Sequence, residues 1–360
     1  MTFLRRLSRT LFNLFRPGKR AEPSPPRPRR GPQIHVIILD GTMSSLTPGH
    51  ETNAGLTYKL LAEMGSAVSV YYEAGGQWAE WRSASDVAIG RGINRQIRRA
   101  YGWLASRYRS GDSIYLMGYS RGAYAVRSLG GMIDQVGLLR PDCATERNIR
   151  TAYRHYQALP GSPVATAFRR AHCHPEVGIE MVGVWDTVKA LGWRLPVVWR
   201  WSEQVHAFHS HELGASIRNG FQALALDETR EAFAPVLWHC PPGCGGHVEQ
   251  VWFHGAHGDV GGQLSGFLAA RPLAHIPLVW MLERAEGCGL PLPVGWRGRF
   301  ACDPGAPRVG TWRGWARIFL RRRRRVVGQD RSERLHHTVT QAPGHAAALA
   351  GGQVWTEPLP

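Results

Sequence analysis

Hydrophobic and polar positions alternate along this chain in blocks of two periods. The run IHVIILDGT at 34–42 is apolar and β-branched until it stops at Asp40-Gly41, as a strand buried on both faces does. AVSVYYEAGG at 67–76 repeats the pattern. INRQIRRAYGWLASRY at 93–108 changes period, with Ile93, Ile97, Tyr101, Leu104 and Tyr108 on one stripe, which predicts an amphipathic helix. Gly111-Asp112 turns the chain into SIYLMGYS, and RGAYAVRSLGGMI continues as a helix. Further strands are predicted to end at Asp186 (IEMVGVWD) and just before His257 (VEQVWFHGAH). Strands alternating with helices imply an α/β fold, a mostly parallel sheet with helices on both faces. Outside this body, Leu4, Leu7, Leu11 and Leu14 recur at helical spacing among Arg5, Arg6, Arg9 and Arg16. That pattern predicts a short basic amphipathic helix, and PSPPRPRRGP then reads as an extended linker.

Charge sharpens this division. The net charge of +17 suggests nucleic acid until it is located. Residues 1–33 carry nine Lys and Arg against Glu22, and residues 304–328 carry eight Arg and no acid, which leaves the body about neutral. Two basic segments on a neutral body point to attachment at an anionic membrane surface, and nucleic acid is not expected as a partner. The second segment, WRGWARIFLRRRRR, sets Trp312, Trp315, Ile318 and Phe319 beside its arginines. No apolar run approaches the ~20 residues of a membrane span. MTFLRRLSRTLFNLF has arginines in the place of a signal peptide's apolar core, so no signal peptide is expected. The six cysteines are too sparse for a disulfide scaffold. HCPPGCGGH, His239 to His247, lacks a second distant pair for zinc and is expected to be a loop with reduced thiols. Neither metal nor cofactor is expected.

The chemistry concentrates at YLMGYSRGAY, residues 115–124, where Ser120 stands between Gly118 and Gly122. With 42 Gly in 360 residues, a GxSxG spacing arises by chance in about one such chain in four. Context carries more weight. A serine between a predicted strand and a predicted helix is the setting of a nucleophile turn, in which only glycine permits the flanking backbones to approach. A Ser, an Asp and a His each follow a separate apolar strand, in that order, which is the chain order of an α/β-hydrolase triad.

Five blocks, LDGT, GYSRGAYAVRSLGGMI, GVWDTVKALG, ALALDETREAFAPVLW and QVWFHGAHGDVGG, resemble in order and wording a bacterial α/β-hydrolase domain family. Its studied members are type VI secretion phospholipase effectors, the first family of type VI lipase effectors. The resemblance covers roughly residues 34–265. It departs at His254, where proline is usual, at Met43, where an aromatic often follows DGT, and near Gly75, where a glycine-rich stretch is degraded. What it implies is a serine hydrolase acting on acyl esters of membrane glycerophospholipids. An immunity protein or a component of the secretion machinery is implied as partner. The implied location is the bacterial cytoplasm or a membrane periphery, with export by type VI secretion.

In that frame Ser120 is the expected nucleophile, His257 its base and Asp186 the acid that orients the imidazole, with Asp259 as the rival acid. The oxyanion hole is expected from the N–H of Arg121 together with that of Gly41 or Thr42, Asp40 organising the loop. His254 is expected to support a loop, and Asp227 and Glu228 to supply a helix cap and surface ion pairs. The expected organisation is an arm and linker at 1–33, a catalytic domain at 34–303 with insertions near 140–175 and 187–220, an Arg-rich amphipathic segment at 304–328 and a tail at 329–360. Tryptophans interleaved with arginine after Asp186 (Trp193, Trp199, Trp201) suit a lid or a packed insertion equally. The same residues are compatible with an esterase or thioesterase on soluble acyl substrates, or with a catalytically silent scaffold that binds membrane or nucleic acid.

Overall fold

A computed structural model describes residues 30–76, 91–158, 161–188, 212–241, 243, 245–312 and 320–340. The chain divides into Met1–Gly31 and Pro32–Pro360, and the second unit carries everything below. The strands are β1 (Ile34–Leu39), β2 (Val68–Glu73), β3 (Ser113–Tyr119), β4 (Ile179–Trp185), β5 (Ile217–Ala225), β6 (His247–Phe253) and β7 (Glu333–Leu335). They form one seven-stranded sheet in the order β2-β1-β3-β4-β5-β6-β7, and every pairing is parallel. Each crossover therefore needs a connection over a face of the sheet, and helices provide most of them.

The continuous apolar character of β1 follows from burial on both sides. Ile37 and Leu39 enter one core with Ile114, Leu116 and Val182. That core is closed by α2 (Arg91–Ala105) and α3 (Arg121–Val136), and by α4 (Glu146–Gln157) through Ile149, Ala152 and Tyr153. The alternate residues Val36 and Ile38 enter a second core with Tyr115, Met117 and Met181, closed by α1 (Asn53–Ala62) and α7 (Arg271–Gly287). With α5 (Pro163–His172), α6 (His257–Gly261) and α8 (His337–Thr340) this is an α/β-hydrolase-like fold with helices on both faces and helical insertions, as the strand–helix alternation predicts. No helix among the described residues is long and apolar enough to cross a membrane.

The molecule departs from expectation in four places. The insertion expected to reach residue 220 ends earlier, because β5 begins at Ile217 and lies mid-sheet between β4 and β6. Its sequence, IRNGFQALA, hides the strand behind polar residues, of which Gln222 is buried and bonded: it accepts from Thr187 Oγ1 at 2.8 Å and donates to the Val236 carbonyl at 3.1 Å. The catalytic body does not end at 303. β7 extends the sheet beyond β6, pairing Gln250 with Glu333 and Trp252 with Leu335. The Arg-rich segment is not a solvated run throughout. Arg322 hydrogen-bonds the Thr311 carbonyl at 3.1 Å, and Arg325 is buried. Finally, Cys240 is disulfide-bonded rather than reduced, while Cys143, Cys173, Cys288 and Cys302 are free thiols. The N-terminal amphipathic stretch, most of the tryptophan-rich stretch after Asp186 and the centre of the Arg-rich segment lie outside the described residues.

Candidate active site

The order in which the chain lays down its strands reverses at β1, which has β2 on one side and β3 on the other. In open parallel sheets the crevice beyond the strand ends at such a switch point is where sites form. Ser120 leaves β3 there with φ 58° and ψ −120°, and its N–H donates to the Trp185 carbonyl at the end of β4 at 3.0 Å. A side chain in that positive-φ conformation is strained and persists only where its surroundings enforce it. The flanking glycines are part of the enforcement. A Cβ on Gly122 would stand 2.1 Å from the Leu39 carbonyl oxygen, and one on Gly118 would stand 2.8 Å from the Gly122 backbone. The turn thus requires glycine on both sides for close approach.

His257 opens α6 after β6, and Asp186 follows β4 with φ 42°. The structure brings the three side chains together: His257 Nε2 lies 2.8 Å from Ser120 Oγ, and His257 Nδ1 lies 2.5 Å from Asp186 Oδ2. Tyr119 stacks on the imidazole with ring centroids 4.8 Å apart, and Phe233 leans on it at 4.9 Å. All three polar side chains are buried. Burial pushes the imidazole of His257 below its ordinary range, against the opposing pull of Asp186 and Glu228. Burial pushes the Asp186 carboxyl up, but the Arg325 guanidinium and the bond to His257 outweigh it and hold the group well below the usual carboxylate range.

Asp259 lies elsewhere in its bonding. Its carboxylate accepts from Ala256 N at 2.9 Å, Val309 N at 2.6 Å and Gly310 N at 3.2 Å, capping α6 and tying down the loop at 309–310. Of the oxyanion candidates, Arg121 N is the first N–H of α3 and has no intrahelical acceptor. Gly41 lies against Ser120, but its N–H donates to Asp40 Oδ1 at 2.6 Å, which leaves Thr42 as the loop's candidate donor. Asp40 also accepts from Thr52 Oγ1 at 2.6 Å and Tyr72 OH at 2.8 Å, and burial pushes its carboxyl up to about 6. Gln263 fixes the same loop by donating to the Thr42 carbonyl at 3.0 Å.

Two expectations are corrected here. Glu228 forms no surface pair: it is buried, receives the His257 backbone N–H at 3.2 Å and is bridged by Arg230 at 2.6 Å. Arg325, expected at a membrane surface, instead donates to Asp186 Oδ1 at 2.5 Å and Oδ2 at 2.9 Å. Its place in a run of five arginines concealed it, since nothing in the run distinguishes one member from the next. Asp227 accepts from Gly255 N at 2.7 Å, and His254 lies 3.1 Å from its carboxylate, so both brace the loop before His257.

Residues 33–284 match the family model described as "T6SS, Phospholipase effector Tle1-like, catalytic domain". An uncharacterised protein of Saccharomyces cerevisiae, YEL023C, is 28% identical over 184 residues, which are 44% of this chain and 27% of that protein. The chain therefore matches only about a quarter of that relative's length. Among solved structures, an uncharacterised protein from Pseudomonas aeruginosa is 16% identical with a TM-score of 0.42, over 75% of this chain and 49% of its own. A Tle1 effector bound to the VgrG spike of the type 6 secretion system is 17% identical with a TM-score of 0.38, over 65% and 52%.

Proposed function

The chain belongs to the family of Tle1-like phospholipase effector catalytic domains of type VI secretion, and from that premise we propose that it is a serine hydrolase cleaving acyl esters of membrane glycerophospholipids. One observation carries the proposal: the hydrogen-bonded line from Ser120 Oγ through the His257 ring to Asp186, set at the sheet's switch point. Ser120 Oγ attacks the acyl carbonyl while His257 Nε2 takes its proton, and Asp186 holds Nδ1–H and stabilises the imidazolium. The oxyanion forms against the N–H groups of Arg121 and Thr42. Collapse breaks the ester C–O bond. His257 returns the proton to the departing lysolipid oxygen and leaves an acyl group on Ser120. Water then attacks that acyl carbon, giving its proton to His257, and a second collapse frees the fatty acid and restores the serine. Delivery by secretion machinery belongs to the same proposal, supported by the family alone.

A fluorophosphonate probe followed by lipid assays tests it. Wild-type protein is expected to label and to release fatty acid from phospholipid vesicles, and Ser120→Ala to do neither. Wild-type protein that ignores the probe would end the enzyme reading. Labelling with turnover of short soluble esters but none of vesicles would leave a serine hydrolase of another substrate class.

A further inference from the structure

Besides the His257 ring and the Ala225 N–H, which donates to Oδ1 at 3.0 Å, the catalytic acid has a charged partner 41 positions beyond the end of the family match at residue 284. Arg325 reaches Asp186 from the segment that leads into β7. One guanidinium nitrogen donates to Asp186 Oδ1 at 2.5 Å and to the Ala225 carbonyl at 2.8 Å; the other donates to Asp186 Oδ2 at 2.9 Å and to the Phe233 carbonyl at 2.6 Å. Its side chain is 4% exposed and that of Asp186 is fully buried, so the pair is shielded from solvent. The segment carrying it is pinned on both sides. Arg323 N donates to the Thr229 carbonyl at 2.7 Å, Arg322 bridges to Thr311, and Leu335 in β7 enters a small core with Leu224, Trp252 and Val339. Such anchoring is not that of a side chain that met a carboxylate by chance.

We infer that Arg325 is a positioning residue for this site: it locks the Asp186 carboxylate against the imidazole and, by offsetting its charge, limits how strongly His257 holds a proton. The inference rests on the hydrolase reading for its catalytic consequence, though not for its electrostatic one. Two oxygens held by a planar fork are hindered from rotating, so the oxygen shared by the arginine and Nδ1 stays within hydrogen-bond reach of the ring. Asp186 also occupies a positive-φ conformation, which a fixed carboxylate helps to hold. The charges facing His257 are few and identifiable. Asp186 with Arg325 lies at Nδ1, Glu228 with Arg230 lies on the loop after β5, Tyr119 is stacked on the ring, and Asp259 is turned to backbone N–H groups. Each of the two carboxylates that favour the imidazolium is thus paired with an arginine. The net field leaves His257 a free base to lower pH than an unaccompanied Asp–His pair would.

The test is a titration of the His257 imidazole, followed by NMR of ring-labelled histidine in the full chain, beside the pH profile of kcat/KM on a short soluble ester. Arg325→Met is expected to raise the His257 midpoint and the acid limb together by about one pH unit. It should lower kcat by about 10- to 100-fold with KM little changed. Arg325→Lys keeps the charge without the fork. It is expected to return the midpoint to near the wild-type value while recovering only part of kcat. If Arg325→Met does not fold, Arg325→Gln carries the same midpoint test. A folded Met or Gln variant with the wild-type midpoint overturns the inference, as does one whose loss lies wholly in KM. Wild-type protein inert to every ester would sink the hydrolase reading separately, because the imidazole titration still reports whether Arg325 governs His257.

Discussion

At the scale of single residues, two aspartates near one histidine have opposite duties. Asp186 is bonded to the imidazole, and Asp259, two residues past His257, is bonded to three backbone N–H groups. Asp186→Asn should therefore lose turnover by ~10⁴ per folded molecule, since an amide at Nδ1 selects the wrong tautomer, and it also leaves the buried Arg325 charge unpaired at a cost of about 3–5 kcal/mol. Asp259→Asn should keep most of its turnover per folded molecule and lose roughly 1–3 kcal/mol of stability, because one of its two acceptor oxygens becomes a donor facing N–H groups. Denaturant melts and single-turnover acylation on both variants check this. A folded, inactive Asp259→Asn beside an active Asp186→Asn would reverse the roles. Sequence order was enough to favour Asp186, because strand ends recur at fixed places in such sheets. It could not find Arg325 or the burial of Glu228. The partners of both are set by loops that come together only in three dimensions.

At the scale of elements, the loop after β1 sets the site's second side, and its keystone is a carboxylate that resists ionisation. Burial raises Asp40 from the ordinary 3.8 to about 6 while Thr52, Tyr72 and Gly41 hold it in place. A raised acid in the folded state binds its proton more tightly than the unfolded chain does. Its stabilising contribution is thus complete below about pH 4 and is lost as the pH rises past about 6. Wild-type protein should gain on the order of 2 kcal/mol relative to Asp40→Asn when both are moved from pH 7 to pH 4.5. Asp186 and Glu228 titrate in both proteins and cancel in the difference. Urea melts at the two pH values give the number, and a pH-independent difference would mean that Asp40 is ionised throughout. The strands beside this loop were legible, since β1 and β3 are almost wholly apolar. β5 was not, because Asn219 and Gln222 gave a central strand the look of a loop, and α4 and α5 lay in a stretch read only as an insertion.

At the scale of the whole molecule, the question is where the catalytic body ends. Charge and composition suggested residue 303, with basic surface beyond it. The structure instead returns the chain to the site twice after that point, and then once more to the sheet. Val309 and Gly310 supply N–H groups to Asp259, Arg325 pairs with Asp186, and β7 closes the sheet edge with Glu333 accepting from Trp252 Nε1 at 2.8 Å. A chain ending at Asp303 would leave Asp186 buried without its cation, and breaking a buried pair on one side costs about 3–5 kcal/mol. Uncovering Trp252 and Leu224 by removing Leu335 and Val339 adds roughly 1.5–3 kcal/mol for each apolar side chain lost. Against the ~5–15 kcal/mol that holds a domain together, the shortened chain should stand at the edge of unfolding. Its thermal midpoint is expected to fall by ~10 °C or more, or its melt to lose cooperativity. Fluorophosphonate labelling of whatever remains folded should slow more than in Arg325→Met, because the loop at 309–310 is lost with the cation. If the shortened chain instead melts where the full chain does and labels as fast, residues 304–340 are an appendage after all.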